Sequence, residues 1–218
     1  MAARFGLDQA ALEAVARAVS AAEERTSGEI VTYVVGECDP YPEAAWLGGL
    51  CGALLATTGA AAAHMIVGAW SSSLLVWSLL PALGGALLGV VAGDRVAPLR
   101  RLLVPQEVIE RRVAMRAEAA FLEEEVFATR DRSGILLFLA LFEHRAIVVG
   151  DSGINQVVPQ HEWKSIVDEL AGGIRTGQAG EALVAAVERC GRLLEARGVH
   201  IRPDDVDELP DAPRVRES

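Results

Sequence analysis

The chain has 218 residues and a formal net charge of −10. This acidity argues against a nucleic-acid partner, because phosphate binding needs a concentrated basic surface. The three cysteines, Cys38, Cys51 and Cys190, lack metal-ligand spacing, which argues against a zinc site or a disulfide framework.

The chain opens with a predicted helix followed by a predicted strand. Apolar residues recur at helical spacing over residues 8–25, and Asp8 is a plausible N-cap for that helix. The motif Thr26-Ser27-Gly28 ends the helix, and the β-branched run Glu29–Val35 is typical of a strand.

An apolar block without charge follows this strand. Residues 44–93 contain no Asp, Glu, Lys or Arg, and Ser71-Ser72-Ser73 divides them into runs over 44–70 and 74–93. As helices these runs would be about 40 and 30 Å long, enough to cross a hydrocarbon core of about 30 Å. The block therefore predicts a tight hairpin of two membrane-spanning helices; the alternative is a pair of buried helices in a soluble protein.

Small residues predict how the two helices of the hairpin pack. Gly48 and Gly52 are four residues apart in the first run, and Gly85, Gly89 and Gly93 keep the same spacing in the second. Such a stripe lets helix backbones approach closely in lipid. It also suggests self-association, or association with other membrane proteins, through the glycine faces.

Arginine placement predicts the orientation of the hairpin. Arg95, Arg100 and Arg101 follow the second apolar run, whereas the tip has no Lys or Arg. The positive-inside rule then places both termini and the soluble domain on the cytoplasmic face of the cell (inner) membrane.

The remainder of the chain predicts further α/β elements. A long helix, two strands that pair as a hairpin through Glu143-His144, two more helices and an irregular tail follow in that order. Their predicted ranges are 105–128, 135–142, 146–149, 159–172, 179–197 and 202–218. The predicted organisation is an α/β domain in two parts, residues 1–43 and 94–201, interrupted by the membrane hairpin of residues 44–93.

Several motifs, in order, resemble the TPM domain family. Arg25-Thr26-Ser27-Gly28-Glu29-Ile30-Val31 resembles the start of these domains, and Ser133-Gly134-Ile135-Leu136-Leu137 with Leu141-Phe142-Glu143-His144-Arg145 resembles their central hairpin. Three further motifs resemble the membrane-bound branch: Asp151-Ser152-Gly153-Ile154, Trp163-Lys164-Ser165-Ile166-Val167 and Asp207-Glu208-Leu209-Pro210-Asp211.

The resemblance implies a fold and an activity. TPM domains form a three-layer α/β/α sandwich, a plant thylakoid-lumen branch is described as an acid phosphatase, and some members bind calcium in a cleft at the sheet edge. This chain has Ser133-Gly134 where exported members have Asn-Gly, and Gly153-Ile154-Asn155 where they have Gly-Leu-Glu. Two polar positions of the implied cleft are therefore altered.

Two aspartates are candidate metal ligands. Asp131 precedes the first strand of the predicted hairpin and Asp151 follows the second, so their loops should emerge at one end of the sheet. Hard oxygen ligands suit Ca²⁺ or Mg²⁺. The alternative is that Asp131 is a solvated turn residue and Asp151 caps a loop through its own backbone.

Three classes of function follow from these patterns. The chain is best interpreted as a membrane-anchored, non-catalytic interaction or assembly module, whose expected partners are the lipid bilayer and other membrane proteins. A divalent-metal-dependent phosphatase of the TPM kind is the alternative. A transporter-like role is disfavoured because two helices without buried charge offer no conduction path.

Overall fold

The structure is a computed structural model that describes residues 2–67, 74–201 and 208–217. The predicted connection Ser71-Ser72-Ser73 therefore lies outside the described residues, as does the start of the tail, residues 202–207. The chain forms two compact units, which we call the α/β unit (Met1–Cys38 and Arg111–Ser218) and the hairpin unit (Asp39–Glu110).

The helices and strands follow the predicted order, with four short additions. A 3-10 helix, Ala2–Phe5, comes first. The α-helices of the described residues are α1 Gln9–Glu23, α2 Pro42–Val67, α3 Leu74–Arg95, α4 Ala97–Leu103, α5 Gln106–Glu123, α6 Ser152–Val157, α7 Gln160–Thr176 and α8 Ala179–Ala196. The strands there are β1 Glu29–Val35, β2 Gly134–Ala140, β3 Arg145–Gly150 and β4 Arg214–Arg216.

The strands form one mixed sheet in the order β3-β2-β1-β4. β1 pairs in parallel with both β2 and β4, and β2 pairs antiparallel with β3, which confirms the predicted hairpin. The connection between β2 and β3 is longer than predicted. The predicted strand includes Leu141 and Phe142, but β2 ends at Ala140. The N–H of Leu141 donates to the carbonyl of Val35, the last residue of β1, and the N–H of Phe142 donates to Gly36 O just after it.

Helices cover the sheet on both faces, which confirms the three-layer sandwich. Alternate residues of β1 and β2, such as Ile30 and Leu137, join buried side chains of α1, α7 and α8 in one apolar core. The residues between them face the other way. Among these, Tyr33 stacks on Phe138 with ring centroids 5.7 Å apart, and Arg116 of α5 lies over the Tyr33 ring.

Four short elements were not predicted: the 3-10 helix Ala2–Phe5, α4, α6 and β4. The tail was expected to be irregular throughout, but β4 adds to the sheet edge, where Val215 is paired with Val34. A three-residue strand shows no alternation of its own and forms only because β1 offers an unpaired edge. α6 is six residues long and is capped by Asp151, whose side chain accepts from Ser152 N.

The hairpin unit consists of α2 and α3 packed on each other, with α4 against their base. Both long helices are apolar and long enough to cross a membrane, and only 6% of each apolar stretch is buried. Buried core helices of a soluble protein would hide most of their apolar side chains. The exposure of α2 and α3 therefore disfavours the buried-helix alternative.

Candidate functional site

The two predicted metal ligands lie at one end of the sheet but in different environments. Asp151 is buried between the end of β3 and α6, whereas Asp131 is exposed in the turn before β2. Asp151 Oδ1 accepts a hydrogen bond from Ser152 N at 2.6 Å. Asp151 Oδ2 lies 3.0 Å from Arg132 Nε in an ion pair. Asp151 thus caps a helix and neutralises an arginine.

The loops that carry the two aspartates contact each other through their main chains. Gly153 N donates to Arg132 O at 3.0 Å, and Asp151 N donates to Gly134 O at 2.9 Å. A Cβ atom on Gly153 would overlap with Asp131 O, so only glycine permits this approach. The structure therefore places both loops at the same end of the sheet, as the antiparallel pairing of β2 and β3 requires.

The oxygen atoms in the loops of Asp131 and Asp151 are poorly arranged to bind a cation in this structure. Ca²⁺ prefers 6–8 oxygen ligands, and the Asp151 carboxylate already holds the Arg132 guanidinium. Within the described ranges, no group of three or more His, Cys, Asp or Glu side chains is arranged to hold a metal ion. A cation at Asp151 would have to displace Arg132 and recruit main-chain oxygens or water.

A second polar cluster lies at the opposite end of the sheet, after the parallel strands β1 and β2. Buried Glu143 follows β2, and its Oε1 accepts a hydrogen bond from Cys38 N at 2.8 Å. Burial of the Cys38 thiol, together with the negative charge of Glu143, raises the pKa of Cys38 far above its ordinary range, and Arg116 lowers it only in part. The Cys38 thiol therefore stays protonated at neutral pH and is a poor nucleophile.

Arg116 of α5 connects this second cluster to the sheet face. Its guanidinium donates to the Tyr33 hydroxyl, lies 5.1 Å from the Tyr33 ring centroid and forms a 3.1 Å ion pair with Glu123. Carboxyl ends of parallel strands commonly bind ligands in α/β proteins. The sequence patterns placed the candidate site at the other end, with Asp131 and Asp151, and missed this cluster because Cys38 and Glu143 are 105 residues apart and share no motif.

Glu29 has a structural contact that the sequence did not predict. Its carboxylate accepts from Glu208 N at 3.3 Å and Leu209 N at 3.2 Å. The Glu208 carboxylate in turn accepts from Arg130 N at 3.2 and 3.0 Å. These bonds fix the segment that leads into β4.

The five predicted packing glycines lie where α2 meets α3. A Cβ atom on Gly48, Gly52 or Gly89 would overlap with a carbonyl oxygen of the facing helix, and the same holds for Gly85 and Gly93. Because the neighbouring atoms belong to the backbone of the facing helix, these positions have room for a hydrogen atom but not for a Cβ atom. This explains why all five are glycine. The stripe is thus covered within one chain, and self-association through these faces would have to open the hairpin.

Comparison with known proteins agrees with the resemblance in the motifs. The family model described as TPM domain matches residues 100–193, a stretch from α4 to α8 that includes β2 and β3. The chain is similar in structure to the BA42 protein of the psychrophilic bacterium Bizionia argentinensis, solved by NMR, with a TM-score of 0.57 and 19% identity over 96% of this chain and 94% of that one. At this identity the likeness shows the fold alone. No curated protein matches the chain.

Proposed function

We propose that this chain, which carries a TPM domain, is anchored in the cell (inner) membrane by α2 and α3 and serves there as a non-catalytic interaction and assembly module. The observation that carries the proposal is the exposure of the two apolar helices, of which only 6% of each apolar stretch is buried. The TPM domain match supplies the folded module that the helices would hold at the membrane.

The outward side chains of the hairpin indicate what surrounds it. Leu55, Ile66 and Leu88 are 73%, 85% and 73% exposed. Apolar surface in water costs roughly 25 cal/mol per Å², and two helices with such side chains on every outer face would aggregate in water. Lipid acyl chains remove that cost, and the helices satisfy their own backbone hydrogen bonds, as a membrane requires.

The polar clusters of the α/β unit have structural partners, which supports a binding role over catalysis. Asp151 forms an ion pair with Arg132 and caps α6. The Cys38 thiol is held protonated next to Glu143, and burial raises the pKa of Cys190 to about 12. None of these groups is therefore poised as a nucleophile or general base, and the surface of the unit would instead bind other proteins.

The arginines after α3 support a cytoplasmic position for the α/β unit. Arg95 lies in the last turn of α3, and Arg100 and Arg101 lie in the last turn of α4. Because positively charged flanks stay on the cytoplasmic side, both termini would face the cytoplasm and the tip of the hairpin the opposite side.

Membrane extraction combined with cysteine labelling tests this proposal. The chain is expected to stay in the membrane pellet after alkaline carbonate washing. In a variant without Cys38, Cys51 and Cys190, a cysteine at Ser72 should react with a membrane-impermeant maleimide in intact cells, and a cysteine at Ser218 only after lysis. Release by carbonate would contradict anchoring, and the reverse labelling pattern would contradict the orientation.

A divalent-metal-dependent phosphatase is the second candidate function. One observation favours it: Gly153, in the loop of Asp151, packs against the backbone of Asp131. This contact brings two acidic residues to the same end of the sheet. A ligand that binds only the folded state raises its melting temperature. Because Arg132 holds the Asp151 carboxylate, we expect millimolar Ca²⁺ to shift the melting temperatures of wild type and Asp151→Asn equally. A shift that Asp151→Asn abolishes would support a metal site and revive the phosphatase.

A further inference from the structure

The described end of the tail, residues 208–217, lies along the outer edge of β1, and we call it the tail segment. Its strand β4 pairs with only the last three residues of β1, whereas β2 pairs with all seven on the inner side. Within the tail segment only the side chain of Leu209 is buried, and Val215 in the middle of β4 is 38% exposed. β1 would therefore keep its longer pairing with β2 if the tail segment left.

A buried carboxylate holds the first part of the tail segment through its main chain. Glu29, the first residue of β1, is buried, and its carboxylate accepts hydrogen bonds from the N–H groups of Glu208 and Leu209. A buried carboxylate needs such donors to offset the loss of water. Every extended peptide offers main-chain N–H groups, so Glu29 selects the extended conformation. The buried side chain of Leu209 adds a preference for an apolar residue at this point.

An ion pair holds the other end of the tail segment. Arg214 Nε lies 2.9 Å from Glu124 Oε2, and the two side chains are only 13% and 16% exposed. Arg216 Nη2 lies 3.6 Å from the second carboxylate oxygen, Glu124 Oε1. Because both acceptors, Glu29 and Glu124, lie outside the tail segment, they form a site for an extended peptide. The site selects an apolar residue followed by arginine, as in Leu209 and Arg214.

We propose that this edge of β1 is the site at which one copy of the chain binds the tail segment of a second copy. The inference rests on the proposed interaction and assembly role, and it names the partner. The second copy is the matching occupant, since its tail segment has the same leucine and the same arginines opposite Glu124. Exchange of an identical segment costs little because the same contacts form within and between copies. Membrane anchoring holds the copies in one plane, which raises their effective concentration.

Disulfide trapping in the full chain, reconstituted in lipid vesicles, tests the proposal. Val34 and Val215 are paired across β1 and β4, and neighbouring strands lie roughly 4.8 Å apart, a separation that suits a disulfide. In a background without Cys38, Cys51 and Cys190, a tagged chain carries Val34→Cys and an untagged chain carries Val215→Cys. We expect the mixture to form a disulfide between the two chains, in an amount that rises with the ratio of protein to lipid.

Two controls make the trapping specific. Val157→Cys, on α6 and of matched exposure at 40%, replaces Val215→Cys to measure random collision, and it should give several-fold less disulfide between chains. One chain with both Val34→Cys and Val215→Cys should close a disulfide within itself. Trapping between chains no greater than with Val157→Cys, or no closure in the double variant, would overturn this inference alone. A chain that does not stay with the vesicles would overturn the membrane anchor and the inference that rests on it.

A charge exchange at Glu124 and Arg214 tests the same site without disulfides. A tagged chain carries Glu124→Arg and an untagged chain carries Arg214→Glu. Each chain then has like charges at this ion pair within its own copy, whereas exchange of tail segments restores opposite charges between the copies. After solubilisation in mild detergent, the tagged chain should recover several-fold more of its untagged partner than a wild-type pair does. Equal recovery in the two cases would contradict docking of the tail segment between copies.

Discussion

Replacing Gly89 with leucine should separate α2 from α3. A Cβ atom at this position would overlap with Gly48 O and lie 2.7 Å from Gly48 C and 3.1 Å from Gly49 Cα. All three neighbours are backbone, so no side chain can rotate to make room. Overpacking of side chains in a protein core destabilises it by about 1–3 kcal/mol. The backbone contact between α2 and α3 should be destabilised by at least this amount. In lipid the hydrophobic effect offers no compensating force.

The distance between spin labels on the two helices measures this separation. Labels on cysteines at Leu54 and Leu83, both exposed, report it in a variant without the native cysteines. Gly84→Leu is the matched control, because a Cβ atom on Gly84 has no neighbour within 4 Å. We expect Gly89→Leu to lengthen or broaden the distance distribution and Gly84→Leu to leave it unchanged. Equal distributions in both variants would show that the glycine contact does not hold the hairpin together.

The fold was predictable wherever a pattern is long and local. The charge-free block predicted α2 and α3 because roughly twenty consecutive apolar residues are typical of a long apolar helix and of few other structures. β1 and β2 were predictable because β-branched and apolar runs of strand length are distinctive. β4 was missed since its three residues owe their conformation to the edge of β1, more than 170 residues earlier in the chain.

The candidate sites were less predictable because their contacts are distant in sequence. The β2–β3 pairing placed the loops of Asp131 and Asp151 at one sheet end, but no sequence pattern shows that Arg132 pairs with Asp151. Glu143 and Cys38 meet only because β1 and β2 are parallel neighbours, with the whole hairpin unit between them in sequence. The packing glycines were found because their four-residue spacing is visible within each helix.

Removing the hairpin should leave an α/β unit that folds in water without detergent. Every side chain of the main apolar core lies in residues 1–38 or 111–218, and all strands of the described sheet do too. We expect a variant in which a flexible Gly/Ser linker replaces residues 39–105, so that α5 stays whole, to be monodisperse. Circular dichroism should show a single cooperative melting transition, as is usual for one compact domain.

A second deletion tests whether α4 promotes self-association once α2 and α3 are removed. Deleting only residues 44–93 keeps α4, whose Leu102 is 79% exposed and would lose the helices it packs beside. This variant should fold with a similar melting temperature but self-associate more in light scattering, because Leu99, Leu102 and Leu103 of α4 are left together in water without α2 and α3. Aggregation or a non-cooperative melt of the longer deletion would contradict the independence of the α/β unit. The hairpin unit would then supply part of the stability of the α/β unit and would not be an insertion into a self-sufficient domain.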